Sequence, residues 1–399
     1  MAGMCMDVEK RLSVVFVADV PQEGGASASL SDVVKTLVQE YDVSCTVLLP
    51  TTGPLVDKLN AAGAQTVVTG HRSFLVARPS SWWKVAPKYI IELVRYLANR
   101  GRAVRIANRS VDFSSVDVIH SNLPRNDIGI MLSTLHNIPH VCHLREYSFD
   151  DFGCWSYRRW PAKYISDNSS RLLAVSSACG AAWIRRGMDP NKLRIVYNGV
   201  HIDKFRRENV GMSVSKSPLS LVFLGGYGKA KGVSDAIGTI KVLKDRGIEG
   251  VTLDVFGGGS GLAVTRARNL VKKYGIGDQV SLHGMVQDVA DVLSEYDVGL
   301  VCSRCEAFGR VVIEYMASGL AVIGSNSGSL PELLGDGEYG LLYEKRLGAK
   351  ALADSLEELL NDRGLLESLR KKASTRAKEF TVERNVAEIM DVYRDILCE

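Results

Sequence analysis

The stretch from Tyr296 to Glu332 limits this 399-residue chain to one kind of architecture. Residues 298–302 form a short apolar, β-branched run, the length of a strand buried on both faces. A loop follows at 303–309. Val311, Val312, Tyr315 and Met316 then recur at helical spacing until Gly319 supplies a C-terminal stop. Residues 320–323 are apolar again. Strand, loop, helix, strand is a crossover unit, and crossover units build parallel sheets sheathed by helices.

The same alternation runs along the rest of the chain. Strands are expected at 14–18, 44–49, 65–68, 116–120, 140–143, 171–175 and 193–196, with helices between them, the first over about 27–40. Residues 211–218 are small and polar, end in Pro218 and read as a linker. The series restarts with strands at 219–224, 251–256 and 280–283, and helices are expected at 349–360, 365–378 and 381–397. A chain of this length exceeds what one core organises. The expected fold is therefore α/β, with two doubly wound domains.

Two carboxylates, Glu306 and Glu314, flank the start of the helix that follows residue 309. A helix N-terminus offers unpaired N–H groups and a positive dipole end, which suit phosphate. Carboxylates repel phosphate, so the Glu side chains have to serve something else. An ionised carboxylate is an acceptor only and takes both protons of a vicinal diol, so sugar hydroxyls fit. Diphosphate beside polyol describes a nucleotide sugar. The alternative is a pair of solvated surface Glu.

The run Glu306-Ala-Phe-Gly-Arg-Val-Val-Ile-Glu314, with Ala-Ser-Gly319 after it and a Gly-rich loop ending in Pro331-Glu332, resembles the retaining glycosyltransferases of family 4. That resemblance implies the GT-B fold, two Rossmann-like domains facing an interdomain cleft. It divides the chain into an acceptor domain at 1–210, a nucleotide-sugar domain at 211–380 and a last helix at 381–399 returning to the first domain.

It also implies roles. Glu314 would hold the ribose diol and Glu306 the hydroxyls of the transferred sugar, with Phe308, Gly309, Arg310 and Val311 completing the donor end of the helix. Lys231, of the pair Lys231-Gly232, would grip the diphosphate. Where the family has Gly-Arg this chain has Gly225-Gly226, so Lys229 is the replacement cation or donor binding is altered. Gly257 and Gly258 would lie beside the nucleoside, and Val286 would read the base through its backbone. In the first domain Gly24 and Gly25 would face the donor phosphates and the acceptor. His143 would line the cleft near the donor sugar, and Arg145 and Glu146 would face the acceptor. Glu306, His143 and Lys231 are thus the catalytic candidates. No D-x-D triplet occurs, so no metal is expected at the diphosphate, and no cofactor beyond the substrate.

Charge is uneven. Residues 1–210 hold 26 Lys/Arg against 19 Asp/Glu, whereas 211–399 hold 23 against 26, so the first half is the one to meet an anionic surface. Its segment 72–109 carries nine cations against Glu92 alone, with Trp82 and Trp83 near the start and Val85, Tyr89, Leu93, Tyr96 and Leu97 on one helical face. A basic amphipathic helix with interfacial Trp suits anionic lipid. A second cluster, Trp155, Tyr157, Arg158, Arg159, Trp160, Lys163 and Tyr164, would share that duty. The alternative is a packed helix with a solvated basic face. No nucleic-acid module is recognisable.

No run approaches the ~20 apolar residues of a membrane span, and the N-terminus lacks a cleavable leader pattern. A cytoplasmic enzyme, peripheral on the cytosolic face, is expected, with a lipid-linked or other saccharide acceptor in surface polysaccharide or glycolipid assembly. The Cys302-x-x-Cys305 pair reads as structural thiols. His140 and His143, three apart on a strand, point to opposite faces and cannot share a metal. Rival readings are a GT-B sugar-nucleotide epimerase, a catalytically silent binding protein, and a nicotinamide oxidoreductase. The last is disfavoured because the dinucleotide fingerprint counted from Gly257 ends on Leu262.

Overall fold

The computed structural model describes residues 11–19, 24–76, 85–151, 153–205, 219–286 and 288–399. The expected linker at 211–218, together with Trp82 and Trp83, lies outside them. Two compact units divide the chain, one comprising Met1–Gly199 with Val382–Glu399 and the other Val200–Thr381.

The first unit is a seven-stranded parallel sheet in the order Gln65–Val68, Ser44–Leu49, Ser13–Val17, Val118–Ser121, His140–Leu144, Arg171–Ala174, Leu193–Ile195. Period-two alternation sends Val14 and Phe16 to one face and Val15 and Val17 to the other. Helices Gly25–Glu40 and Val382–Cys398 cover the first face, burying Leu30, Leu37, Ile389 and Tyr393. Helices Val85–Ser110 and Ile128–His136 cover the second with Ala103, Ala107 and Leu132. Strand order reverses between Ser13–Val17 and Val118–Ser121, which makes their carboxyl ends the switch point.

The second unit repeats the plan with six parallel strands, ordered Val280–Leu282, Thr252–Phe256, Ser220–Leu224, Val298–Val301, Ala321–Ser325, Leu341–Tyr343. Its switch point falls between Ser220–Leu224 and Val298–Val301. The opening strand, loop, helix and strand are found as expected, with the helix at Arg310–Ala317. Gly299 explains how closely that helix lies on the sheet: a Cβ there would sit 2.2 Å from the Tyr315 ring. The close approach lets the Tyr315 hydroxyl accept from the N–H of Leu224 at 2.6 Å.

Three strands were not expected. Leu341–Tyr343 closes the second sheet, and Leu75–Val76 pairs antiparallel with Trp155–Ser156 outside the main sheet of the first unit. The strand expected at 116–120 runs over Val118–Ser121, because Asp112 caps a short turn at Phe113–Ser115 that delays it.

Candidate active site

At the switch point of the second unit, the loop after Ser220–Leu224 turns through Lys229–Lys231 and the loop after Val298–Val301 carries Glu306. The two are stitched together. Arg304 N–H donates to Ala230 O at 2.8 Å, and Lys231 Nζ donates to Glu306 Oε2 at 2.9 Å. Gly232 has φ +73° and faces Cys302 so closely that a Cβ would lie 2.0 Å from its carbonyl oxygen, so glycine is required there. From behind, Ser329 N–H donates to Glu306 O at 2.9 Å, and the hydroxyls of Ser325 and Ser327 both reach Ser303 O. Gly328 is pressed against the Glu306 backbone, where a Cβ would come within 2.4 Å of its oxygen. The serine-rich turn is thus a buttress that holds the Glu306 loop in one conformation.

Gly309, at φ +83°, opens the helix Arg310–Ala317, and Glu314 lies one turn inside it. Burial raises the Glu314 carboxyl above its ordinary range, opposed by the Arg310 guanidinium. Among the described residues no side-chain donor is hydrogen-bonded to it. Phe308 is not a ligand-facing side chain: it is buried and packs edge-on against Phe380 at 5.9 Å. Beside this cluster, Gly257 N–H donates to Gly284 O and Tyr227 N–H to Gly258 O, interlocking three strand-end loops. A Cβ on Gly257 would overlap Gly225 O at 1.6 Å. Met285, next to Val286, is 84% exposed. Glu306, Lys231, Lys229, Gly257, Gly258, Val286, Gly309, Arg310, Val311 and Glu314 therefore all stand at the carboxyl edge or on the helix that starts there.

The corresponding edge of the first unit is a buried network. Gly24 and Gly25 begin the helix Gly25–Glu40, with open space where either Cβ would be. Arg145 donates from Nε to Asn122 Oδ1 at 2.8 Å and from Nη1 to Asn198 Oδ1. Glu146 takes a two-point ion pair from Arg125, at 2.5 and 2.6 Å, and a hydrogen bond from Ser148. Both acceptor-side candidates are thus committed to protein partners. His143 is fully buried, with Nδ1 3.3 Å from His120 Nε2 and, among the described residues, no partner on Nε2. His140 faces the other way, between Ser121 and Ser169. Asp19, at the end of the first strand, accepts from Asn126 at 2.7 Å through one oxygen and leaves the other buried and unpartnered. Burial pushes its carboxyl up to about 7 despite that hydrogen bond.

Two family models match in tandem: Glycosyltransferase Family 4 over residues 23–204 and Glycosyl transferases group 1 over residues 208–380. The chain is 31% identical to a D-inositol 3-phosphate glycosyltransferase of Xylanimonas cellulosilytica, over 76% of this chain and 90% of that protein. The chain belongs to glycosyltransferase family 4. An uncharacterised glycosyltransferase of Methanocaldococcus jannaschii is 27% identical over 76% of this chain and 81% of its own length. Among solved structures, the Anabaena protein HepE in complex with UDP superposes with a TM-score of 0.76, covering 96% of this chain and 99% of that one at 18% identity, so the fold is GT-B.

In this family 4 glycosyltransferase the basic segment differs from its expected form. Helix Val85–Ser110 buries Tyr96, Ala103 and Ala107, but Leu97 is exposed with Ile90, Ile91 and Val94 on another face. The second aromatic cluster is mostly packed inward rather than offered to a surface. Tyr96 stacks on Tyr157 and Tyr89 meets it edge-on, and Arg158 pairs with Asp127 and covers the Tyr164 ring at 3.8 Å. Asp127 causes this, because a buried carboxylate draws Arg158, the Tyr96 hydroxyl and Arg100 to itself. Only Trp160, Arg159 and Lys163 of that cluster remain outward. No helix among the described residues is long and apolar enough to cross a membrane.

Proposed function

We propose that this chain is a retaining, metal-independent hexosyltransferase that moves a sugar from a nucleotide diphosphate sugar to an acceptor hydroxyl. The observation that carries the reading is the Lys231–Glu306 pair held at the switch point beside the N-terminus of Arg310–Ala317. In the reaction the bond from the anomeric carbon to the phosphate oxygen breaks and a bond to the acceptor oxygen forms on the same face. The acceptor proton passes to the departing diphosphate. Negative charge grows on that diphosphate, where the Lys231 ammonium and the helix N–H groups stabilise it without reorganisation. Glu306 accepts from sugar hydroxyls and fixes the anomeric carbon by orientation. Glu314 has no side-chain donor among the described residues, and a ribose diol supplies two. The HepE structure with UDP supports a uridine donor by analogy of fold.

The acceptor side of the proposal is a lipid-linked saccharide in cell-surface polysaccharide or glycolipid assembly, with the enzyme peripheral on the cytosolic face. Ile90, Ile91, Val94 and Leu97, exposed between the arginines of one helix, support a lipid contact. Similarity to an uncharacterised 41.2 kDa protein of the cps region of Klebsiella pneumoniae, 30% identical over 59% of this chain, supports the pathway class.

A panel of UDP, GDP and dTDP sugars tests the donor. The expected result is slow hydrolysis of one nucleotide class, abolished by Glu306→Ala. Release of free nucleotide with an epimerised sugar in the absence of acceptor would instead establish the epimerase. Sedimentation with anionic liposomes at low salt tests the membrane contact, which Ile90→Glu with Val94→Glu should eliminate. Failure of the native chain to sediment overturns it.

A further inference from the structure

Three ring-bearing side chains form a buried line in the first unit. Tyr393, on the helix Val382–Cys398, has its hydroxyl 2.6 Å from His120 Nδ1. The other nitrogen of His120, Nε2, lies 3.3 Å from His143 Nδ1, and His143 Nε2 has no partner among the described residues. Phe16 stacks on His120 at 5.1 Å, which fixes the ring plane. All four side chains are essentially inaccessible.

Protons can be placed along this line in two ways. In one, the Tyr393 hydroxyl donates to His120, His120 donates from Nε2 to His143, and His143 keeps its proton on Nε2. In the other every bond is reversed, and the Tyr393 proton then points into the core with no acceptor. Each orphaned buried donor costs about 1–3 kcal/mol. The first arrangement leaves one unsatisfied group, the second leaves two. Burial and the nearby Arg145 hold both imidazoles well below their ordinary range, and burial holds the tyrosine well above its own, so the three groups stay neutral and the count stands.

We propose that Tyr393 and His120 are positioning residues that set the tautomer of His143, so that His143 presents an Nε2–H donor to an oxygen of the bound substrate. The proposal rests on the transferase reading only for the identity of that substrate. A single unsatisfied group near the carboxyl end of His140–Leu144, the strand that pairs with the switch-point strand Val118–Ser121, is where a ligand completes the network. Tyr393 reaches His120 across 273 residues, so the last helix contributes to the site without touching substrate.

Proton–nitrogen correlation spectra of the full chain labelled at histidine read the tautomer directly, with the His143→Gln variant assigning the signal. The native chain is expected to show His143 protonated on Nε2 and bare on Nδ1, and Tyr393→Phe to mix the two forms. Turnover of the nucleotide sugar selected by the donor panel is expected to fall about tenfold in Tyr393→Phe, the loss of one directed hydrogen bond. The amide of glutamine donates from the place of Nε2 and has no tautomer to set. In the His143→Gln background, Tyr393→Phe should therefore cost less than about twofold, whereas a merely structural tyrosine costs the same in both backgrounds. Equal losses in the two backgrounds, or a native His143 protonated on Nδ1, would overturn the proposal. If no nucleotide sugar is turned over, the transferase reading fails and the spectra alone decide this one.

Discussion

The two switch points are built on one plan and filled in opposite ways. In the second unit the loops are rich in glycine and serine, and their key ion pair, Lys231 with Glu306, is partly open to solvent, the lysine being 45% exposed. At the strand-end edge of the first unit Arg125, Glu146, Arg145, Asn122 and Asn198 saturate one another, while Asp19 and His143 each keep a buried atom with no partner among the described residues. A network saturated by its own side chains has little left for a ligand and contributes to stability. An exposed pair contributes little to stability and is available for exchange with a ligand. The same position in the fold is therefore closed by its own side chains in one unit and left partly open to solvent in the other.

The largest effect is expected from Glu146→Ala. It leaves Arg125 charged and largely buried without its two-point partner, so unfolding free energy in urea should fall by about 3–5 kcal/mol. Lys231→Ala is the converse. Its exposed pair is worth no more than ~1 kcal/mol to stability, while loss of the cation facing the departing diphosphate should lower kcat by about 10²–10³. If Lys231→Ala unfolds the chain as readily as Glu146→Ala, the contrast between the two edges is wrong.

The second edge was legible in the sequence, and the reason is locality; the closed network of the first was not, since Arg145 and Glu146 were expected to face an acceptor and instead hold protein partners. The strand at 298–302, the stop at Gly319 and the Glu306–Glu314 spacing are set by residues within a few positions of one another, and all stand where expected. What escaped depends on distant partners. Leu341–Tyr343 is three residues long and a strand only because Ala321–Ser325 lies beside it. Tyr393 reads as an ordinary apolar position of an amphipathic helix, and its hydroxyl acquires meaning only against His120. Arg158 reads as a surface cation until Asp127 is seen to hold it. Asp19 follows a strand, in the same run as the Gly24-Gly25 pair, a position that marks it as a candidate, but its burial is a tertiary fact.

Asp19 gives the contrast a pH dependence. Burial holds its carboxyl at about 7 in the folded chain, well above its ordinary value of 3.8. The folded state therefore binds that proton more tightly, and the associated stability is complete at low pH and lost as pH rises through about 7. Asp19→Asn should remove this slope, so its melting temperature should exceed that of the native chain by more at about pH 8 than at about pH 5. Parallel melting curves at both pH values would show that the carboxyl is solvated and that the first edge is more open than its hydrogen bonds indicate.

The smallest effect tests the departure at Gly226. Lys229 is exposed on the turn that carries Lys231, well placed to supply the second cation that the family takes from an arginine. Lys229→Ala should then raise the donor KM by about tenfold with kcat less affected, since an exposed cation that meets the diphosphate in both ground and transition states contributes uniform binding. Gly226 has room for a side chain only if its neighbour yields: a Cβ would stand 3.2 Å from Gly258 O, tighter than ordinary contact but short of overlap. Gly226→Arg in the Lys229→Ala background should therefore recover part of the lost affinity, against a modest strain on the Gly257–Gly258 turn. Recovery would mean that the second edge holds the diphosphate by total positive charge at the loop mouth. Absence of recovery, with Lys229→Ala still impaired, would mean that the ammonium of Lys229 is held in one particular place, and the second edge would then be as specifically built as the first.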